Sequence, residues 1–303
     1  MVSVIVNHAL KNWGRLMVKK LLETNTDELK EEIWNDADII GEDFCLFIPE
    51  KKPFICIMSH IDTVHDNGFD DGYFTPKRKP GKPKKRTIYH DSSHDVYFSP
   101  DGVGGDDRAG IYGCLHLLKK HRKDVMVLIT DGEESGGYGA IEFTENNEFD
   151  IMKDCGFIIS MDRRGKNDMV YYNAIPDGFD NYIQKYGYRE SLGSFSDIKH
   201  IAQHSCRAGV NLSIGFYHEH TKNEILKFRE SLSTISRIEN IIKDYDGKIW
   251  DIPEEKSYYG YHRSILDDHD YDVTTYCWYC GVPIIMDDYD SRCPTCGVMM
   301  RGY

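Results

Sequence analysis

Histidine, aspartate and glutamate recur in five short segments of this 303-residue chain: 59-SHIDTV-64, 104-GGDDRAG-110, 130-TDGEESGG-137, 161-MDRRG-165 and 217-YHEHTKNE-224. Imidazole and carboxylate are the groups that bind a catalytic zinc ion while leaving one position for water. Two such ions about 3.5–4 Å apart can activate one water and polarise one carbonyl together, and a shared carboxylate holds them that close. A ligand histidine needs a partner on its second ring nitrogen, which an aspartate two residues on can supply, as in His60-Ile61-Asp62. Adjacent glutamates, here Glu133 and Glu134, can divide the duties of proton acceptor and ligand. Taken singly each segment is common. Their order, spacing and placement along the chain give them weight.

A second metal chemistry is written at the C-terminus. Cys277-Trp278-Tyr279-Cys280-Gly281 and Cys293-Pro294-Thr295-Cys296-Gly297 form two CxxC pairs separated by twelve residues. The glycine after each pair permits the tight turn that points two thiolates at one ion. Four thiolates close the coordination shell, so such a site is structural. The unit resembles a zinc ribbon or rubredoxin-like knuckle, and mononuclear iron takes the same ligands. Its expected role is docking, with Asp287, Asp288 and Asp290 favouring a protein partner. The other five cysteines (Cys45, Cys56, Cys114, Cys155 and Cys206) are scattered, several within apolar runs, and read as buried free thiols.

The elements that must position the first set follow from hydrophobic periodicity. Leu10, Trp13, Leu16, Met17 and Leu21 predict an amphipathic helix over 9–23. Apolar runs of strand length stand at 44–49, 54–59, 125–130, 157–161 and 210–216, with helical patterns at 107–121, 135–146 and 224–245. Strands alternating with helices predict an α/β domain with a largely parallel central sheet. The candidate residues fall where apolar runs end, and ligands of open α/β sheets bind beyond the carboxyl ends of the strands. One active-site rim is expected.

Over residues 50–245 the sequence resembles the co-catalytic di-zinc exopeptidase superfamily, which includes peptidase T, the glutamate carboxypeptidases and the bacterial leucyl aminopeptidases. HIDTV matches that superfamily's first-ligand motif, GGDDRAG its bridging-aspartate motif, DGEESGG its base-plus-ligand pair and HTKNE its last-histidine motif. The resemblance implies a three-layer αβα, phosphorylase/hydrolase-like core. It implies that His60 binds one zinc with Asp62 orienting the ring, that Asp106 bridges both metals, and that Glu133 is the general base. Glu134 and His220 would bind the second metal and Asp162 the first. Asp107 stands as the alternative to Asp106, and His218 as the alternative to His220. His65, His90, His94, His116, His121, His200 and His204 read as surface or satisfied histidines. Arg108 reads either as an ion-pair partner near the bridging carboxylate or as a helix-surface arginine. Relatives often insert a lid between the Asp162-type and His220-type ligands. Only 57 residues lie there in this chain, with a strand at 168–173 and helices near 178–187 and 196–204, so no large lid domain is expected.

The expected organisation is a catalytic domain over 1–246, a linker over 247–275 and the ribbon over 276–303. The implied activity is hydrolysis of amide bonds in small peptides by a two-zinc hydroxide mechanism, with an aminopeptidase first. A carboxypeptidase or N-acyl amino-acid deacylase is the alternative within that chemistry, and a non-catalytic peptide-binding protein recruited through its ribbon the alternative outside it. The implied cofactors are two catalytic zinc or other divalent ions and one structural zinc. The net charge of −13 argues against a nucleic-acid-gripping protein. One run opposes it, 77-KRKPGKPKKR-86, read as a solvated loop between two strands or a localisation or nucleic-acid patch. No stretch nears the roughly 20 apolar residues of a membrane span, and the N-terminus lacks a secretory pattern, so a cytoplasmic location is expected.

Overall fold

Strand β3 (Phe54–His60) shows how the sequence builds the core. Successive side chains point to opposite faces, and both faces are covered. Ile55 and Ile57 join a cluster with Val18, Leu21, Leu117 and Ile238, whereas Phe54, Cys56 and Met58 join one with Phe143, Ile198 and Ile201. A strand buried on both sides must be apolar throughout, which is why 54–59 reads as a continuous run. The computed structural model describes residues 14–67, 86–193 and 196–252 and two short strands at 275–276 and 283–284.

The strands in chain order are β1 (Ile39–Ile40), β2 (Phe44–Phe47), β3, β4 (Tyr89–Asp91), β5 (Val96–Phe98), β6 (Val125–Thr130), β7 (Cys155–Arg163), β8 (Asp168–Val170), β9 (Arg189–Glu190), β10 (Gly209–Ser213), β11 (Phe216–Tyr217) and β12 (Ile225–Lys227). An eight-stranded sheet has the order β1-β2-β6-β3-β7-β10-β8-β9. Its four central strands, β6, β3, β7 and β10, are parallel. Antiparallel pairs flank them, β2 on β6 and β8 on β10. A four-stranded antiparallel sheet, β11-β12-β5-β4, lies apart from it in hydrogen bonding.

The helices are α1 (Arg15–Glu23), α2 (Thr26–Trp34), α3 (Gly105–His121), α4 (Tyr138–Glu145), α5 (Phe179–Gln184), α6 (Asp197–Ser205) and α7 (Phe228–Asp244). Residues of α1, α2, α3 and α7 cover one face of the large sheet and those of α4 and α6 the other. This is the mixed α/β, three-layer arrangement expected, and the described segments between Asp162 and His220 form no large lid. None of the described helices is long and apolar enough to cross a membrane.

Several boundaries differ from the sequence reading. The helix expected from 224 begins at Phe228, because Ile225–Lys227 pairs with Val96–Phe98 as an edge of the small sheet. Cys206 is exposed, at a left-handed helix end, rather than buried. Residues 247–252, expected as linker, are tied to the core. Trp250 donates from its backbone to the Gly156 carbonyl at 2.8 Å, and Ala208 donates to the Trp250 carbonyl at 2.8 Å. Residues 77–85 of the basic run and the four C-terminal cysteines lie outside the described residues. Of the C-terminal stretch, strands β13 (Thr275–Tyr276) and β14 (Pro283–Ile284) are described and pair antiparallel.

Candidate metal centre

Three strand ends and two loops bring the candidate residues together. His60 ends β3, the Glu133–Glu134 turn follows β6, and Asp162 is the penultimate residue of β7. Asp106 stands in the opening turn of α3, where its backbone and that of Asp107 are not helical. The peptide bond between those two aspartates is cis. His220 lies in the loop joining β11 to β12. The turn after β6 depends on Gly132, at φ 83°, a conformation glycine adopts without a Cβ penalty.

The geometry centres on Asp106. Its Oδ1 lies 3.3 Å from His60 Nε2 and its Oδ2 lies 3.3 Å from His220 Nε2. Around His60 Nε2, Asp162 Oδ1 is at 3.5 Å and Glu133 Oε2 at 4.0 Å. Glu134 Oε2 is 2.9 Å from His220 Nε2. His60, Asp106 and Glu134 thus offer ligand atoms within 4.8 Å of one another, and so do His60, Asp107 and Asp162. The Asp107 carboxylate is already engaged: it accepts from Ser59 Oγ at 2.5 Å and from Gly110 N at 3.0 Å. His218 has no carboxylate within ion-pair distance of its ring among the described residues; its carbonyl accepts from Thr221 Oγ1.

These atoms fit divalent ions. His60 Nε2, Asp106 Oδ1 and Glu134 Oε1 are buried without a hydrogen-bond partner among the described residues. Leaving such groups unsatisfied costs about 1–3 kcal/mol each, more when charged. Two ligands each about 2.0–2.1 Å from a tetrahedral zinc stand about 3.3 Å apart, close to the 3.3 and 3.5 Å from His60 Nε2 to Asp106 and Asp162. Carboxylates also outnumber imidazoles. Burial and the charge of Asp106 push Glu134 up to about 7. Burial, then Asp162 and Glu134, lift Glu133 well above the carboxylate range. Burial lowers the basicity of both histidines, but the carboxylates win. Asp106 and Glu134 raise His220 to about 12, and Asp106, Asp162 and Asp62 raise His60 well above its usual value. In return, His220 and His60 hold Asp106 below the usual range despite its burial.

A second layer orients this set. His60 Nδ1 is 3.1 Å from the Asp62 carbonyl and 3.2 Å from Asp62 Oδ1, which leaves Nε2 facing the centre. Asp62 also accepts from the backbone of Glu133 at 3.2 Å and of Glu134 at 3.1 Å, clamping the turn that carries both glutamates. Ser196 Oγ donates to Asp162 Oδ2 at 2.7 Å, and Asn211 accepts from the Asp162 backbone at 2.9 Å.

Sequence reasoning missed three residues here. Asp197 is 2% exposed, with the Thr130 hydroxyl as the neighbour that favours its ionised form. Burial pushes it up to about 7, with the charges of Asp62 and Asp162 adding to the effect. Glu224 and His65 form a buried pair at 2.5 Å, so His65 is a satisfied histidine, as the sequence allowed, but its place among the site's supports was not foreseen. No periodicity signals these residues, although Glu224 is the last residue of the HTKNE motif. Arg108 is fully buried and lies 3.2 Å from Asp66 Oδ2, which excludes the helix-surface reading and makes Asp66 its ion-pair partner.

No family model matches the chain, and no curated protein matches it significantly. Solved structures do share its fold. Aminopeptidase PepT of Bacillus cereus is 14% identical over 75% of this chain and 96% of its own, with a TM-score of 0.54. A tripeptidase of Staphylococcus aureus is 13% identical over 75% and 96%, with a TM-score of 0.54. A TET aminopeptidase from a marine-sediment archaeon of the Thaumarchaeota is 12% identical over 76% and 97%, again at 0.54. The chain has the aminopeptidase-like hydrolase fold.

Proposed function

We propose that this protein is a metal-dependent exopeptidase that removes the N-terminal residue of short peptides. The observation that carries the reading is Asp106, whose two carboxylate oxygens each stand 3.3 Å from a different histidine. That disposition suits a bridge between two divalent ions, zinc being the best match to two imidazoles and several carboxylates. His60, Asp106 and Asp162 would hold one ion, and His220, Asp106 and Glu134 the other. Bound there, two such ions supply Lewis acidity to a substrate carbonyl and acidify water.

The chain's own residues do the rest. Glu133 sits beside this set with Oε2 at 4.0 Å from His60 Nε2. Its carboxylate is placed to take a proton from the attacking water and return it to the leaving amine. Asp62 holds that turn and the His60 ring in one arrangement. His220 is 45% exposed in its side chain whereas His60 is 2% exposed, so substrate approaches from the His220 side. The preference for an amino-terminal substrate draws on the sequence motifs and on the aminopeptidases and the tripeptidase that share the fold.

The test compares aminoacyl chromogenic substrates with N-acyl amino-acid substrates, with and without chelator. Chelator-sensitive turnover of the aminoacyl series, restored by zinc, is expected. Turnover of the N-acyl series alone would instead indicate a carboxypeptidase or deacylase. Metal-replete protein that turns over neither series contradicts the proposal.

A further inference from the structure

We propose that Glu224, with His65, is a positioning residue that sets the direction of the Asp106 carboxylate; this rests on the two-metal reading of the site. The Glu224 side chain is fully buried. Removing a carboxylate from water costs several kcal/mol unless donors replace the hydration. Three donors do so here. His65 Nε2 is 2.5 Å from Oε2, Gly104 N donates to Oε2 at 2.9 Å, and Asp106 N donates to Oε1 at 2.9 Å.

Two of those donors are backbone amides at the opening of α3, where N–H groups have no partner within the helix. Asp106 and Asp107 have non-helical dihedrals, so the helical ladder does not hold this stretch. Glu224 holds it instead. The same loop also carries His220, four residues earlier, whose ring faces Asp106 Oδ2 at 3.3 Å. Glu224 N donates to the Thr221 carbonyl at 3.1 Å, which closes the turn between the two residues. One loop therefore grips Asp106 twice, by its backbone amide and beside its carboxylate.

His65 ties in the third loop. It lies in the 3₁₀ turn Val64–Asn67, directly after the segment bearing His60 and Asp62. Its ring packs so closely on Gly102 that a Cβ there would stand 2.1 Å from Cε1. The Glu224–His65 pair thus couples the segments that supply His60, Asp106 and His220. A glutamine at 224 keeps the shape but replaces one acceptor oxygen with an amide donor, which would face a donor already in place.

The test uses the full chain, stripped of metal and titrated with cobalt, as wild type and as Glu224→Gln, Glu224→Asp, His65→Gln and His65→Ala. The C-terminal cysteines are present in every protein, so their contribution cancels. Glu224→Gln should weaken cobalt uptake by about 10–100-fold, the usual cost of losing a residue that orients metal ligands. It should also shift the visible spectrum of the cobalt form and lower kcat more than it changes KM. His65→Gln, which keeps a donor, should recover much of what His65→Ala loses. If Glu224→Gln is too unstable to purify, the His65 pair carries the same comparison. Wild-type affinity, spectrum and kcat in these variants, with only a lower melting temperature, would make the cluster a fold anchor and overturn the proposal. A wild-type chain that takes up fewer than two cobalt ions beyond what the C-terminal cysteines bind would overturn the two-metal reading itself, an outcome visible before any variant is made.

Discussion

A carboxylate can serve two ions only if its oxygens are presented to two separate ligand groups, and Asp106 presents Oδ1 to His60 and Oδ2 to His220. The neighbouring glutamates divide between the same two surroundings. Glu134 Oε2 is 2.9 Å from His220, whereas Glu133 Oε2 is no nearer than 4.0 Å to His60. Glu133→Gln should therefore keep both ions and lose about 10²–10⁴ in kcat, the usual worth of a general base. Glu134→Gln should lose metal. Metal analysis of the two purified variants checks this, and equal metal loss in both contradicts the division. Protonation gives a second prediction. Folding raises Glu134 and Asp197 to about 7 and His220 to about 12. Each group then binds protons more tightly folded than unfolded. The stability it contributes is complete below its unfolded value and is lost as pH rises through the folded one. Metal-stripped protein should accordingly lose stability as pH rises, through Glu134 and Asp197 between about pH 4 and 7 and through His220 above about pH 6.5, on the order of 1 kcal/mol per pH unit for each proton involved. Bound ions take the place of those protons and should flatten the slope. Melting temperatures at pH 6, 7.5 and 9, with and without chelator, test it; parallel curves are the contrary result. At this scale the sequence carried the residues that act on their own chemistry. It did not carry Asp197 or the His65–Glu224 pair, whose significance comes from partners far away in the chain.

At the scale of elements, the opening of α3 must sit hard against β7 for Asp106 to meet His60 and Asp162. Gly110 makes room for that contact. A Cβ there would lie 2.5 Å from the Met161 carbonyl and 2.4 Å from Asp107 Oδ2. In a free helix, glycine to alanine stabilises by up to about 1 kcal/mol. Here overpacking against backbone should reverse the sign and cost about 1–3 kcal/mol. Gly110→Ala should also weaken metal uptake, since it displaces Asp107 behind the bridge. Denaturant unfolding with metal titration measures both, and a stabilised variant with unchanged uptake refutes the packing argument. The central strands were legible because burial on both faces forces unbroken apolar runs. The two- and three-residue edge strands were not. Ile225 and Leu226 continue the helical spacing of α7 and read as helix until their pairing with β5 is seen.

For the whole molecule, the core extends past its last long helix. Trp250 is 7% exposed, with its ring centroid 5.3 Å from Phe179 and 5.6 Å from Tyr182. Ile252 N donates to the Cys206 carbonyl at 3.0 Å. A chain ended after residue 252 should fold, bind two ions and keep near-full kcat/KM on a dipeptide. One ended after residue 246 removes Trp250 and should lose about 3–5 kcal/mol, the cost of deleting a buried tryptophan. Melting and dipeptide turnover of the two truncations distinguish these outcomes, and equal stability would show that Trp250 is dispensable. Composition had placed 247–252 in a linker, because one tryptophan among polar residues has no period to reveal it. Two metal ions sharing Asp106 should be visible by anomalous diffraction at the zinc edge from zinc-loaded crystals of the full chain. Two peaks about 3.5–4 Å apart, flanking Asp106, one beside His60 and Asp162 and the other beside His220 and Glu134, are the predicted result. A single peak in the core, none, or a pair bridged by Asp107 would contradict it.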